Sequence, residues 1–427
     1  MSRRSCDAWP GNFPMSLHLL RTLAVYLPSL LSRYSTQVLV ISIPWLLQGQ
    51  GVGLAEISAA LLPFYAGSLI FSTLASFRAP AWNVPRALMA VLVLQGLFSL
   101  LCLTSGSVTW LAVFRFLQGA ATGVSRPLAQ LWALECEAGE QSTPERKMQI
   151  NVFVQVAIAA GMAVGSYVGV ILGREQGGVR VVTAVVLLPV AIACASVWQL
   201  ARRLPVGQPS WVKAAQGETG LALRTHGGPV SAGLVGAFLV FFASMAAYNI
   251  WPVLIPFAMR DRVLPDLLGV LALALALQPL VFGIAQLGIA AALRRTATTD
   301  RLLLVFLLGG HLASLVAMRA GAAQDHPWLF GLIFLAGTGM AVGAIYPVAS
   351  LLLMRHVERL PQPHRQAGQR RLVFLFGLVG DLGQLVGGGL LAWDLFPREP
   401  LNLLWVPALL ALPALACLRG RGQTRVD

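Results

Sequence analysis

Apolar residues run along the chain in long blocks, broken by short polar, Gly-rich or Pro-rich segments. Twelve blocks stand out, at 21–47, 54–77, 84–104, 109–134, 148–172, 179–200, 229–257, 264–293, 300–319, 327–354, 371–393 and 401–418. A helix crossing about 30 Å of hydrocarbon needs roughly 20 apolar residues. The pattern therefore predicts an all-α membrane protein with twelve transmembrane helices. Most breaks are brief, such as Gln48–Gly53. The longest, 201–228, holds Arg202, Arg203, Pro205, Pro209, Lys213 and Arg224 and reads as a linker. It divides the chain into two six-helix bundles, 1–200 and 229–418, followed by a tail at 419–427. No small-residue cleavage site follows a short apolar core near the N-terminus, so no removable signal peptide is expected.

Composition agrees with the blocks. Hydrophobic residues make up 57% of the 427 and charged ones 11%, against about 25% charged in soluble proteins. A water-soluble enzyme and a disordered chain are both excluded on these figures. The net charge of +14 would suggest nucleic acid in a soluble protein. Its placement suggests something else. With the N-terminus inside, 22 of the 31 Lys and Arg fall in cytoplasmic segments and six in outer loops. That asymmetry follows the positive-inside rule. It predicts a multi-pass protein with both termini cytoplasmic, in contact with lipid and not with nucleic acid; the near absence of lysine, as in a GC-rich bacterial genome, points to a bacterial inner membrane. The five cysteines are scattered and show no metal spacing, so neither a disulfide framework nor a metal site is expected. No phosphate-binding loop, GxSxG or HExxH occurs, which argues against an enzyme and against a bound cofactor.

The two halves carry similar patterns at an offset of about 216 to 220 residues. Pro63–Gly67 resembles Pro279–Gly283; Gly119, Gly123 and Arg126-Pro127 resemble Gly339, Gly343 and Tyr346-Pro347; Gly165 and Gly169 resemble Gly383 and Gly387. Small residues four apart let helix backbones approach closely in lipid. Two pseudo-symmetric bundles in the same orientation are a repeat suited to alternating access.

Arg115, Gln118, Gly119 and Gly123 resemble the RxxQG motif of the major facilitator superfamily, and the resemblance extends over nearly the whole chain. The usual GxLxDRxGRR loop is poorly kept: Gly67 and Leu69 are present, but Phe71 stands in place of the acid, and only Arg78 and Arg86 supply charge nearby. Gly161, Gly165 and Gly169 resemble the exporter motif GxxxGPxxGG, with Ser166 in place of its proline. The resemblance implies two six-helix bundles around a central cavity lined by spans 1, 4, 7 and 10. It also implies a role for Arg115 in proton coupling, and roles in packing or gating for Gly67, Gly119, Gly123, Gly161, Gly165, Gly169, Gly383 and Gly387.

An ionisable group deep in a span costs about 2.5–3.5 kcal/mol and usually faces the interior. Arg115, Gln118, Thr122 and Arg126 fall on one helical stripe of span 4, and Ser29, Arg33 and Gln37 on one of span 1. Both stripes are candidate linings of a polar cavity, the alternative being structural bonds. Asp381 is the single carboxylate placed deep in the bilayer. Desolvation favours its neutral form and neighbouring cations its charged form, so it is a candidate to exchange a proton. The alternative is a permanent pair with an arginine. Tyr248, Asn249 and Trp251 in span 7, with Thr338 and Tyr346 in span 10, are candidate substrate contacts. His311 and Gln95 read as structural, and the run Arg355, Arg359, Arg365, Arg370, Arg371 reads as a cytoplasmic anchor.

Three deep arginines against one deep aspartate leave two positive charges over. Arginine binds carboxylate and phosphate in a fork. The expected function is therefore proton-coupled export of a small organic anion, such as a carboxylate-type siderophore or metabolite, by a monomeric antiporter with alternating access. A multidrug/proton antiporter, an uptake permease for an anion, and a non-transporting membrane sensor are the alternatives.

Overall fold

The structure, a computed structural model, describes residues 15–49, 51–78, 82–105, 107–137, 142–175, 179–203, 235–246, 268–295, 327–358 and 362–392. All the secondary structure in them is helical. In chain order the helices are α1 (Met15–Gly49), α2 (Leu54–Arg78), α3 (Val84–Thr104), α4 (Val108–Glu137), α5 (Pro144–Glu175), α6 (Val179–Arg203), α7 (Val235–Ala246), α8 (Leu268–Arg295), α9 (Pro327–Glu358) and α10 (Gln362–Ala392). Blocks 300–319 and 401–418 and the 204–228 part of the linker lie outside the described residues.

Starts of α3, α4 and α5 follow from local chemistry. Asn83, Ser107 and Thr143 each accept a backbone N–H three residues on, from Arg86, Trp110 and Arg146. Such caps satisfy donors that the first turn leaves open. Pro85 and Pro144 then sit in the first turn, where a missing N–H costs nothing.

Six of these helices are long and apolar enough to cross a membrane. Their outer faces carry large apolar residues such as Leu74, Phe77, Val93, Leu188, Leu273 and Ile284, while Gln95, Ser99, Ser35, Gln118 and Asp381 are buried. Water would penalise that inversion; lipid favours it. α1 and α4, of 35 and 30 residues, are also long enough, and carry their polar stripes.

Close backbone contacts organise the bundle, and they repeat. α4 crosses α2 where Gly119 meets the Phe64 carbonyl and Gly123 meets Ser68; α9 crosses α8 where Gly339 meets the Gln278 carbonyl and Gly343 that of Phe282. α5 crosses α1 with Gly161, Gly165 and Gly169 against Leu30, Tyr34 and Val38; α10 crosses α7 with Gly383 and Gly387 against Phe242 and Ala246. The helices α1–α6 meet the later ones chiefly where α2 packs on α10 and α5 on α8. Exchanging α2 with α8 and α5 with α10 converts one of these contacts into the other, as a twofold relation requires.

One sequence match needs correction. Gly67 meets the Phe116 carbonyl of α4, whereas Gly283 meets Ala159 of α5. Pro63–Gly67 and Pro279–Gly283 are therefore not equivalent. The crossings pair Phe64 with Gln278 and Ser68 with Phe282, a two-residue difference in phase that turns Gly283 toward the other group of helices. Phe71 lies inside α2, within its predicted block 54–77, edge-on to Phe116 at 6.3 Å.

Pro127, inside α4, has no N–H to offer the Gly123 carbonyl four residues back. Ser72 of α2 donates to that carbonyl at 2.6 Å. A freed acceptor in lipid is thus satisfied by a neighbouring helix.

Substituting Gly119→Leu should separate α2 from α4 and cost about 1–3 kcal/mol. The check is the temperature at which the monodisperse peak is lost in size-exclusion chromatography of heated, detergent-solubilised protein. Gly288→Ala, where nothing lies within 4 Å of the added carbon, should leave that temperature unchanged.

Candidate functional site

Between the two groups of helices lies a cavity bounding about 600 Å³ of space free of atoms, part of it open to solvent. Arg33 of α1, Arg126 and Gln130 of α4, Gln155 of α5, Tyr346 of α9 and Gln384 of α10 supply its polar lining. Ile158, Met162, Phe241, Met245, Phe282 and Phe376 supply most of the rest. Phe241 and Phe376 are stacked at 4.6 Å, and Tyr346 stands edge-on to Phe376 at 5.0 Å. The wall is thus aromatic and the polar groups few.

Beside the cavity, Arg126 joins the two groups by charge. Its Nη2 donates to Asp381 Oδ1 and to the Gly377 carbonyl, both at 2.8 Å. Ser68 of α2 donates to Asp381 Oδ2 at 2.8 Å. Asp381 is 1% exposed. An ion pair in such a setting holds only while its remaining lone pairs are also bonded, and here Ser68 does that.

At the floor, Gln130 and Gln155 donate to the Tyr346 hydroxyl at 3.2 and 2.8 Å. One turn further out, Asn151 donates to Ser350 at 3.0 Å. At the basic end of the bundle, Arg370 pairs with Glu135 and donates to the Trp82 carbonyl, and Arg355 lies 3.6 Å from Glu145. The Arg370 side chain is buried among these groups. Within the run read as a cytoplasmic anchor, Arg370 thus has an interhelical role, because Glu135 on α4 and the Trp82 carbonyl draw it inward.

The predicted residues separate into four sets. Arg33, Arg126 and Tyr346 line the cavity, with Asp381 bonded behind it. Arg115, Gln118 and Gln37 do not line it. Arg115 is fully buried, bonded to Gln118, with its guanidinium 4.5 Å from the Phe64 ring centre. Gln118 donates to Ser99 at 2.8 Å, and Gln37 to Ser166 at 3.1 Å. The stripe on α4 is real, but α2 comes so close at Gly119 that it covers the Arg115 level and leaves only the lower part facing the cavity. Thr122 lines a second, smaller cavity. Tyr248, Asn249, Trp251 and His311, and the side chain of Thr338, lie outside the described residues.

Gln130, Gln155 and Ser68 were missed. Two of them left a signal: Gln130 continues the α4 stripe by four more residues, and Ser68, Ser72 and Ser76 form a stripe of their own. The charge count is also corrected. Of the three deep arginines, Arg126 is paired with Asp381 and Arg115 is enclosed away from the cavity. A surplus sized for a polyanion does not face the cavity. Among the described residues, no three His, Cys, Asp or Glu side chains come together as a metal ion would require.

An all-helical chain whose lipid-facing surface is apolar, and whose buried polar groups converge on a cavity between two related sets of helices, has the features of a multi-pass membrane carrier. The chain matches the Major Facilitator Superfamily over residues 25–388 and belongs to that family. Its members are secondary transporters and not enzymes. A comparison with curated proteins finds no match.

Removing either partner of the central ion pair should be costly. Arg126→Ala and Asp381→Ala should each lower stability by about 3–5 kcal/mol, since each strands a buried group. The double variant should lose less than the sum of the two. Thermal unfolding of the four proteins in one detergent checks this.

Proposed function

We propose that the protein exports a small organic solute, bearing an apolar or aromatic body and one anionic group, in exchange for protons. Twelve helices in two bundles, 1–200 and 229–418 joined by 201–228, would rock about the central cavity, in an inner membrane with both termini cytoplasmic and as a monomer. The observation that carries the reading is the ion pair from Arg126 to Asp381, which spans the two groups of helices beside the cavity. Alternating access requires contacts between the groups that open and close. A carboxylate paired across that boundary is a group whose protonation loosens it.

Arg33 supports the anionic part of the solute, and the stacked wall of Phe241 and Phe376 supports its apolar part. A polycarboxylate siderophore is disfavoured by the pairing of Arg126 and the enclosure of Arg115. Export, as against uptake, is supported by the RxxQG residues Arg115–Gly119 and by the glycines of α5. A metabolite comparison of cells and medium, with and without the gene, would name the cargo and its direction.

In proteoliposomes loaded with that cargo, an imposed pH gradient should drive its movement. Arg33→Ala should reduce the rate about tenfold or more. Asp381→Asn should abolish the response to the gradient while leaving cargo–cargo exchange. Equal transport of lipophilic cations, indifferent to Arg33→Ala, would overturn the anion reading.

A further inference from the structure

Behind the central cavity, α1, α3, α4 and α5 enclose a second space with room for about one particle the size of water or chloride. Arg33 and Arg126 line both cavities and so stand between them. The other polar lining residues are Ser29, Ser32, Thr122 and Ser125, and no carboxylate is among the described lining residues.

The four hydroxyls are not equivalent. Ser32 and Ser125 both donate to Gln95 Oε1, at 2.9 and 3.1 Å, so their protons are spent. Ser29 and Thr122 are each 3% exposed, and among the described residues neither hydroxyl finds a hydrogen-bond partner. Ser and Thr inside helices can bond the carbonyl four residues back. Ser35, Thr36, Thr73 and Ser99 all do so here. Ser29 and Thr122 forgo that bond and line the cavity instead. Buried polar groups in folded proteins are bonded to something.

Two available hydroxyl donors and two guanidinium side chains around one small space, with no acid among them, select a ligand that accepts hydrogen bonds and carries negative charge. We propose that this cavity binds one small anion of chloride size, held by the hydroxyls of Ser29 and Thr122 beside Arg33 and Arg126. A negative charge next to Arg126 competes with Asp381 for it. Occupancy of the site is thereby tied to the contact that joins the two groups of helices. The two cavities share Arg33 and Arg126, but the proposal holds whatever solute the central one carries.

The test is thermal unfolding of the purified full-length protein in detergent at constant ionic strength. Sodium gluconate, whose anion is too bulky for the cavity, is replaced stepwise by sodium chloride, bromide or acetate. Chloride and bromide should raise the unfolding temperature saturably. The Ser29→Ala/Thr122→Val variant should raise the half-saturating concentration about tenfold or more. If acetate stabilises as well, the site takes carboxylates of organic solutes in addition to inorganic ions. If the unfolding temperature is the same in all four salts, or the variant titrates like the parent, the hydroxyls hold water only and the proposal fails. Should the variant not fold, scintillation-proximity binding of radioactive chloride to the parent decides, and counts that bromide does not displace would overturn the site. Neither readout involves transport, so failure here leaves the carrier reading untouched.

Discussion

Helices in hydrocarbon gain little by burying apolar faces against each other, because lipid tails are as apolar as leucine. What remains to hold them is close packing and bonds between polar groups that lipid cannot satisfy. This chain uses both at the same places. Where α4 crosses α2, Gly119 and Gly123 bring the backbones together, and Ser72 bonds the carbonyl that Pro127 leaves open. Gln95 gathers Ser32, Thr36 and Ser125 into one knot across α1, α3 and α4. Glycine stripes set the distance between helices, and buried amides and hydroxyls set their rotation.

The same constraint acts at the boundary between the two groups of helices. The contact there is not built from interlocked glycines alone. Along the cavity it is built from Arg126 with Asp381, from Tyr346 with two glutamines, and from Asn151 with Ser350. Neutral hydrogen bonds of this kind are individually modest and can be exchanged for bonds to water or solute. The ion pair is different, since removing either partner strands a buried charge.

Much of the fold was legible because lipid makes a long-range property local. A block of 20 apolar residues is a span wherever it stands, and a glycine four residues from another marks a crossing. Gly339, Gly343, Gly383 and Gly387 could be matched to Gly119, Gly123, Gly165 and Gly169 by spacing alone, and their contacts agree. Gly283 could not, because a two-residue phase difference between α2 and α8 has no signature in the spacing. For the candidate site, the stripe on α4 showed which face is polar but not how far the cavity reaches along it. Arg115 and Arg126 share that face, yet one is covered by α2 and the other meets Asp381, 255 residues away in sequence.

By itself, then, the order of residues determined the class of environment, the helices and the polar faces, since each depends on composition and on a period of 3.6 within one segment. Which partner each buried charge meets was decided only by tertiary structure. The Arg126 guanidinium is a free cation or half of an ion pair according to how α10 packs against α2 and α4. The same packing decides whether Ser68 reaches Asp381 and whether Arg370 turns inward to Glu135. Pairing between helices depends on crossing geometry, and no single segment contains that information.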